Sequence, residues 1–122
     1  MAVEGTPSFS ITFPGAPDYL RLARLATADA GTRVGFDYEQ IDDLRIAVSE
    51  LCALISGAPD TTLTLEFLLE PEGVTVAGHA EPGALVENEL SRAIVQAVSD
   101  EFEVGVSDGA SRFRVTKRLA PS

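Results

Sequence analysis

The sequence has no tryptophan and one residue each of cysteine, histidine and methionine. A lone thiol, Cys52, cannot close an internal disulfide, and with His79 as the single imidazole no Cys/His zinc site can be assembled. Positive charge is scarce too. Nine Lys and Arg stand against 19 Asp and Glu, a formal net charge of −10, which repels phosphate polymers and anionic lipid and so argues against nucleic-acid and membrane partners. No apolar run approaches the ~18 residues of a membrane span. The opening Met1-Ala2-Val3-Glu4-Gly5 lacks the basic-then-apolar order of a signal peptide. The expectation is a soluble cytoplasmic protein.

Hydrophobic residues make up 45% and charged residues 23% of the 122 positions, enough for a packed core without disulfides or structural metal. With no repeat, low-complexity tract or mid-chain linker, residues 1–122 read as a single domain, with residues 1–7 and 120–122 expected to be flexible. Phe9, Ile11 and Phe13 alternate with polar residues as a half-buried strand that Pro14-Gly15 stops. A helix is expected from Pro17 to Ala30, closed by Gly31, with Tyr19, Leu22, Ala23, Ala26 and Ala30 on its inner stripe and Arg21 and Arg24 outside. Asp37 and Gln40 have capping-box spacing for a second helix that runs to Ser56 on a seam of Ile41, Leu44, Val48, Leu51 and Ile55, widened by Ala47 and Leu54.

Leu63, Leu65, Phe67 and Leu69 alternate with polar residues, and Pro71-Glu72-Gly73 turns the chain into Val74–Ala77 as a β-hairpin. Residues 78–83 read as irregular. A third helix over Asn88 to Asp100 is expected to bury Leu90, Ile94, Ala97 and Val98, and a last hairpin pairs Phe102–Val106 with Arg112–Leu119 around Asp108-Gly109. The fold class is therefore α+β in the order β-α-α-β-β-α-β-β: a two-layer sandwich whose mostly antiparallel sheet is covered on one face by three helices.

That order resembles the histidine-kinase-type ATPase fold (GHKL, Bergerat). The local match is to its RsbW-like branch, anti-sigma factors that are also serine kinases of anti-anti-sigma proteins. Three stretches carry the resemblance: Phe36-Asp37 through Asp42-Asp43-Leu44-Arg45-Ile46-Ala47-Val48-Ser49-Glu50-Leu51-Cys52, then Ala97 to Val104, then Phe113 to Leu119. The resemblance implies a Glu-x-x-x-Asn pair on the second helix, the glutamate a general base and the asparagine a ligand of the Mg2+ that bridges the ATP phosphates. Here Glu50 keeps the first position and Leu54 takes the second, and leucine offers no oxygen to a hard cation. The adenine-reading Asp-x-Gly-x-Gly is matched only by Glu81 and Gly83, with Leu85 at the second glycine. Before the third helix, Glu87 and Glu89 stand where glycine N–H groups face the phosphates, and the segment is too short for a folding lid.

Three positions depart in one direction, each losing a group that touches nucleotide or metal. The resulting expectation is a protein-binding regulatory domain without ATP or metal. Its partner by resemblance is a sigma factor or an anti-anti-sigma protein, bound through Arg21, Arg24 and Arg33, or else a second copy of itself. Two alternatives stay open: a working serine kinase using Glu50 with ATP and Mg2+, and a small α+β ligand-binding or assembly module. His79 reads as exposed polar surface and Cys52 as a small core residue.

Overall fold

A computed structural model describes residues 8–120, so the expectations for residues 1–7, 121 and 122 lie outside it. The element order is β1 (Phe9–Pro14), a 3-10 turn (Pro17–Tyr19), α1 (Leu20–Val34), α2 (Tyr38–Ile55), β2 (Thr62–Glu70), β3 (Gly73–Glu81), α3 (Glu89–Val98), β4 (Glu101–Ser107) and β5 (Ala110–Arg118). The five strands form one antiparallel sheet in the order β1-β2-β3-β5-β4. This is the α+β arrangement that the alternation patterns predict. No helix among the described residues is long and apolar enough to cross a membrane.

Strand alternation divides the sheet into two faces. Leu63, Leu65, Phe67, Val74, Val76, Ala80, Phe113 and Val115 are buried under the helices. Cross-strand partners on the open face include Thr12 with Thr64 and Thr75 with Thr116, each pair joined by a hydroxyl hydrogen bond. Phe9 stacks on its register partner Phe67, ring centroids 4.6 Å apart.

The most regular helix is α2, and its cap explains where it begins. Asp37 accepts from the Gln40 N–H at 2.8 Å while the Gln40 side chain accepts from the Asp37 N–H at 3.0 Å, so the capping box is complete. Leu44, Ala47, Val48, Leu51, Cys52, Leu54 and Ile55 are buried along it, the seam expected from the sequence.

Three expectations are corrected. Gly31 does not end α1; the helix continues to Val34 and stops at Gly35, whose φ of 95° only glycine adopts without strain. Gly31 instead faces α2, where a Cβ would stand 2.9 Å from Ile41. The buried stripe of α1 is Ala23, Thr27, Ala30 and Gly31, while Tyr19 and Leu22 are exposed. Apolar residues fall on both sides of this helix, so composition alone does not choose the face. Second, residues 78–81 are not irregular: β3 runs to Glu81, with both neighbours, β2 and β5, bonded to it. Gly78 belongs in that strand because the Phe113 ring occupies the space of a Cβ. Third, α3 ends at Val98 and buries Ser91 and Val95; Leu90 is 70% exposed and Ala97 lies outside as well.

Phe67→Ala is expected to lower the unfolding free energy by about 3–5 kcal/mol, because it removes a fully buried ring and the stack on Phe9. Phe9→Ala, at a half-buried edge position, is expected to cost less. Urea denaturation of the two variants checks the ranking.

Candidate functional site

The C-terminal turn of α2 is buried, so its free carbonyls need partners. Each comes from a different element. The Ser56 hydroxyl donates to the Cys52 carbonyl at 2.7 Å, the Val86 N–H to the Leu54 carbonyl at 2.8 Å, and the Ser111 hydroxyl to the Ile55 carbonyl at 2.5 Å. Residues 82–88, between β3 and α3, form a strap that supplies the Val86 bond and is tied down by further ones. Ser56 and Ala84 share a parallel bridge, Gly57 N–H donates to the Ala84 carbonyl at 2.9 Å, Gly83 N–H to the Gly109 carbonyl at 2.8 Å, and Thr61 Oγ1 to the Pro82 carbonyl.

The candidate nucleotide positions are placed around this strap and do not converge. Leu54 is 2% exposed and its side chain is part of the core. Gly83 lies on the strap where a Cβ would collide with the backbone of Ala110 and Ser111, so its missing side chain serves chain packing. Glu81 ends β3 on the open face, 3.0 Å from His79 Nε2, and the sheet separates it from α2. His79 is accordingly a strand residue, not a loop one, and lines a cleft of about 440 Å3 on that open face with Glu66, Glu103, Arg112 and Arg114.

Glu50 is half-buried in a groove between α1 and α2, of about 190 Å3, that it shares with Arg24, Asp42, Arg45, Ile46 and Ser49. Two candidates from separate lines of sequence reasoning, Glu50 and Arg24, thus meet in one place. Arg45 is held to Asp42 at 3.0 Å, yet its Nε and the Ser49 hydroxyl are buried with no partner among the described residues. Arg21 is exposed on the same outer side of α1. Arg33 is not part of that patch: it lies three turns along the helix and bonds Asp29 at 2.6 Å, a contact that raises its pKa through the hydrogen bond first and charge attraction second.

Among the described residues no group of three or more His, Cys, Asp or Glu is placed to hold a metal ion. Sequence reasoning missed Gly57 and Val86, which fasten the strap, and Ser111, which ties β5 to the end of α2. The available signal was the glycine pair Gly57 and Gly83, each where two backbones touch.

No protein-family model matches the chain. It is 35% identical over 72 residues to serine-protein kinase RsbW of Listeria monocytogenes (serotype 4a, strain HCC23), covering 55% of this chain and 46% of that protein. With the RsbW of Bacillus subtilis (strain 168) it shares 44% identity over 39 residues, 32% of this chain and 24% of the other. A solved structure of the RsbU and RsbW domains of Rv1364c from Mycobacterium tuberculosis superposes on 95% of this chain and 34% of that one, with a TM-score of 0.69 at 16% identity. The chain is RsbW-like. This RsbW-like chain spans less than half the length of the relatives it matches.

Burial pushes the Cys52 thiol up to about 12 from its ordinary 9.0. The folded state therefore keeps the neutral thiol while an unfolded chain ionises it, so this group's contribution to stability is lost as pH rises from about 9 to about 12. Cys52 of the native RsbW-like chain is expected to resist a thiol reagent at pH 8 and to react fully in denaturant. Rapid labelling without denaturant contradicts the packing of α2.

Proposed function

We propose that this chain is a protein-binding regulatory domain of the anti-sigma, serine-kinase type that works without binding ATP. The observation that carries the reading is the closed end of α2. Leu54, where the resemblance puts a Mg2+-binding asparagine, is in the core, and its carbonyl accepts from the strap. The residues present do not fit a magnesium nucleotide there: the position has no side-chain oxygen, and Glu87 and Glu89 flank the start of α3. Glu81, the one carboxylate left for an adenine, is on the other face of the sheet. No phosphoryl-transfer step is assigned to this chain.

Binding would then use the outer side of α1. Arg21 and Arg24 make no ion pair among the described residues, and they alternate with Leu22 and Leu25, 44% and 63% exposed. Cationic and apolar groups on one helix face suit a partner surface carrying carboxylates and aliphatic side chains. By resemblance the partner is a sigma factor or an anti-anti-sigma protein. The second reading, an active serine kinase, has one observation in its favour: Glu50 is kept, half-buried, beside Arg24.

Millimolar Mg–ATP is expected to move the thermal midpoint by less than about 1 °C, since only a ligand of the native state raises it. A dose-dependent rise of several degrees decides for the kinase. Arg24→Glu is expected to weaken binding to a sigma factor or anti-anti-sigma protein of the same genome at least about tenfold by calorimetry, leaving the thermal midpoint unchanged. Unaltered affinity removes α1 from the interface.

A further inference from the structure

Of the nine Lys and Arg side chains, Arg33, Arg45, Arg92, Lys117 and Arg118 each hold a carboxylate. The cations that hold none among the described residues fall into two pairs. Arg21 and Arg24 are on α1; Arg112 and Arg114 are on the open face of the sheet, away from every helix. The second pair lines the cleft of about 440 Å3 that also takes in Glu66, His79 and Glu103. That volume is within the roughly 300–1,000 Å3 of small-molecule sites.

The sheet register sets these charges out in two rows. In the first, Arg112 stands between His79 on β3 and Gly105 on β4, so neither neighbour gives it a carboxylate. Glu81, the acid nearest that row, is engaged by His79 at 3.0 Å. In the second row, about 7 Å along the strands, Arg114 has Glu103 opposite on β4. On its other side are Ala77 and, beyond that short side chain, Glu66 on β2. Arg114 therefore has a carboxylate to either side, and Arg112 has none. Once Arg114 takes one, a guanidinium and a glutamate are left over in the same cleft. Space for a ligand lies between them at Gly105, where a Cβ would meet no atom within 4 Å.

The leftover charges say what fits. A simple anion would meet Arg112 and leave the spare carboxylate bare, and the chain's net charge of −10 repels it. A simple cation would leave Arg112 bare. A small zwitterion meets both and adds no net charge. We propose that this cleft binds a free α-amino acid. Its carboxylate sits over Gly105 on the Arg112 guanidinium, the planar fork suited to two parallel hydrogen bonds. Its ammonium faces Glu103, the next open-face residue along β4, while Arg114 turns across Ala77 to Glu66. The cleft is on the far side of the sheet from α1 and the end of α2. The proposal thus goes beyond the protein-binding reading, and its failure leaves the Mg–ATP and Arg24 experiments standing.

Titration of the isotope-labelled full chain, followed by NMR, tests it. The probes are the proteinogenic L-amino acids, each offered singly at millimolar concentration. At least one is expected to shift the amides around Gly105 and Arg112 and the Arg112 Nε–H. Its N-acetyl derivative and its carboxamide, which each lack one of the two charges, are expected to bind at least about tenfold more weakly. The same loss is expected for Arg112→Gln, which removes the charge, and for Gly105→Val, which fills the space and leaves every charge in place. Thermal unfolding verifies that both variants are folded. Three results overturn the proposal. In one, no amino acid moves these amides. In another, a single-charge derivative binds as well as its parent, which makes the cleft a site for a plain anion or cation. In the third, binding is indifferent to both variants, which places the ligand elsewhere.

Discussion

The structure turns on how the last turn of α2 finds hydrogen-bond partners away from water. A helix ends with carbonyls that no residue of its own can reach, and each one left bare in a core costs on the order of 1–3 kcal/mol. Here no left-handed glycine cap finishes the turn; Ser56 at φ −102° does, with its hydroxyl folded back on Cys52. The remaining acceptors are met from outside by Val86 and Ser111. That demand fixes the course of residues 82–88, brings β5 under the helix, and determines where α3 starts.

Much of the fold was legible in the sequence because its signals were periodic and bounded. The seam of α2 and the Asp37–Gln40 box gave that helix nearly to the residue, and strict alternation gave β2. The two-residue turn at Asp108-Gly109, with φ values of 52° and 76°, gave the last hairpin. What failed was local chemistry overridden by neighbours. Gly31 looks like a stop but is a contact with Ile41, and Gly78 looks like a loop but makes room for Phe113. A glycine demanded by a close approach and one demanded by a turn are the same letter.

The site was legible in its parts but not in its geometry. Glu50 and Leu54 could be placed four residues apart on one helix, and the structure keeps them there, one at the groove and one in the core. Glu81 could not be placed, because a strand end shifts a side chain to the opposite face with each single residue of register. The strap was invisible for a related reason: its bonds are made by backbone groups, which every residue type carries.

The strap also limits how this chain can change length. Surface connections ordinarily absorb extra residues with little penalty. Between Pro82 and Val86, however, Pro82, Gly83, Ala84 and Val86 are bonded to Thr61, Gly109, Gly57 and Leu54 in turn, so an added residue there must break a bond or bulge outward. A longer connection between β3 and α3 would have to be accompanied by a different ending for α2, because the Leu54 carbonyl takes its hydrogen bond from Val86.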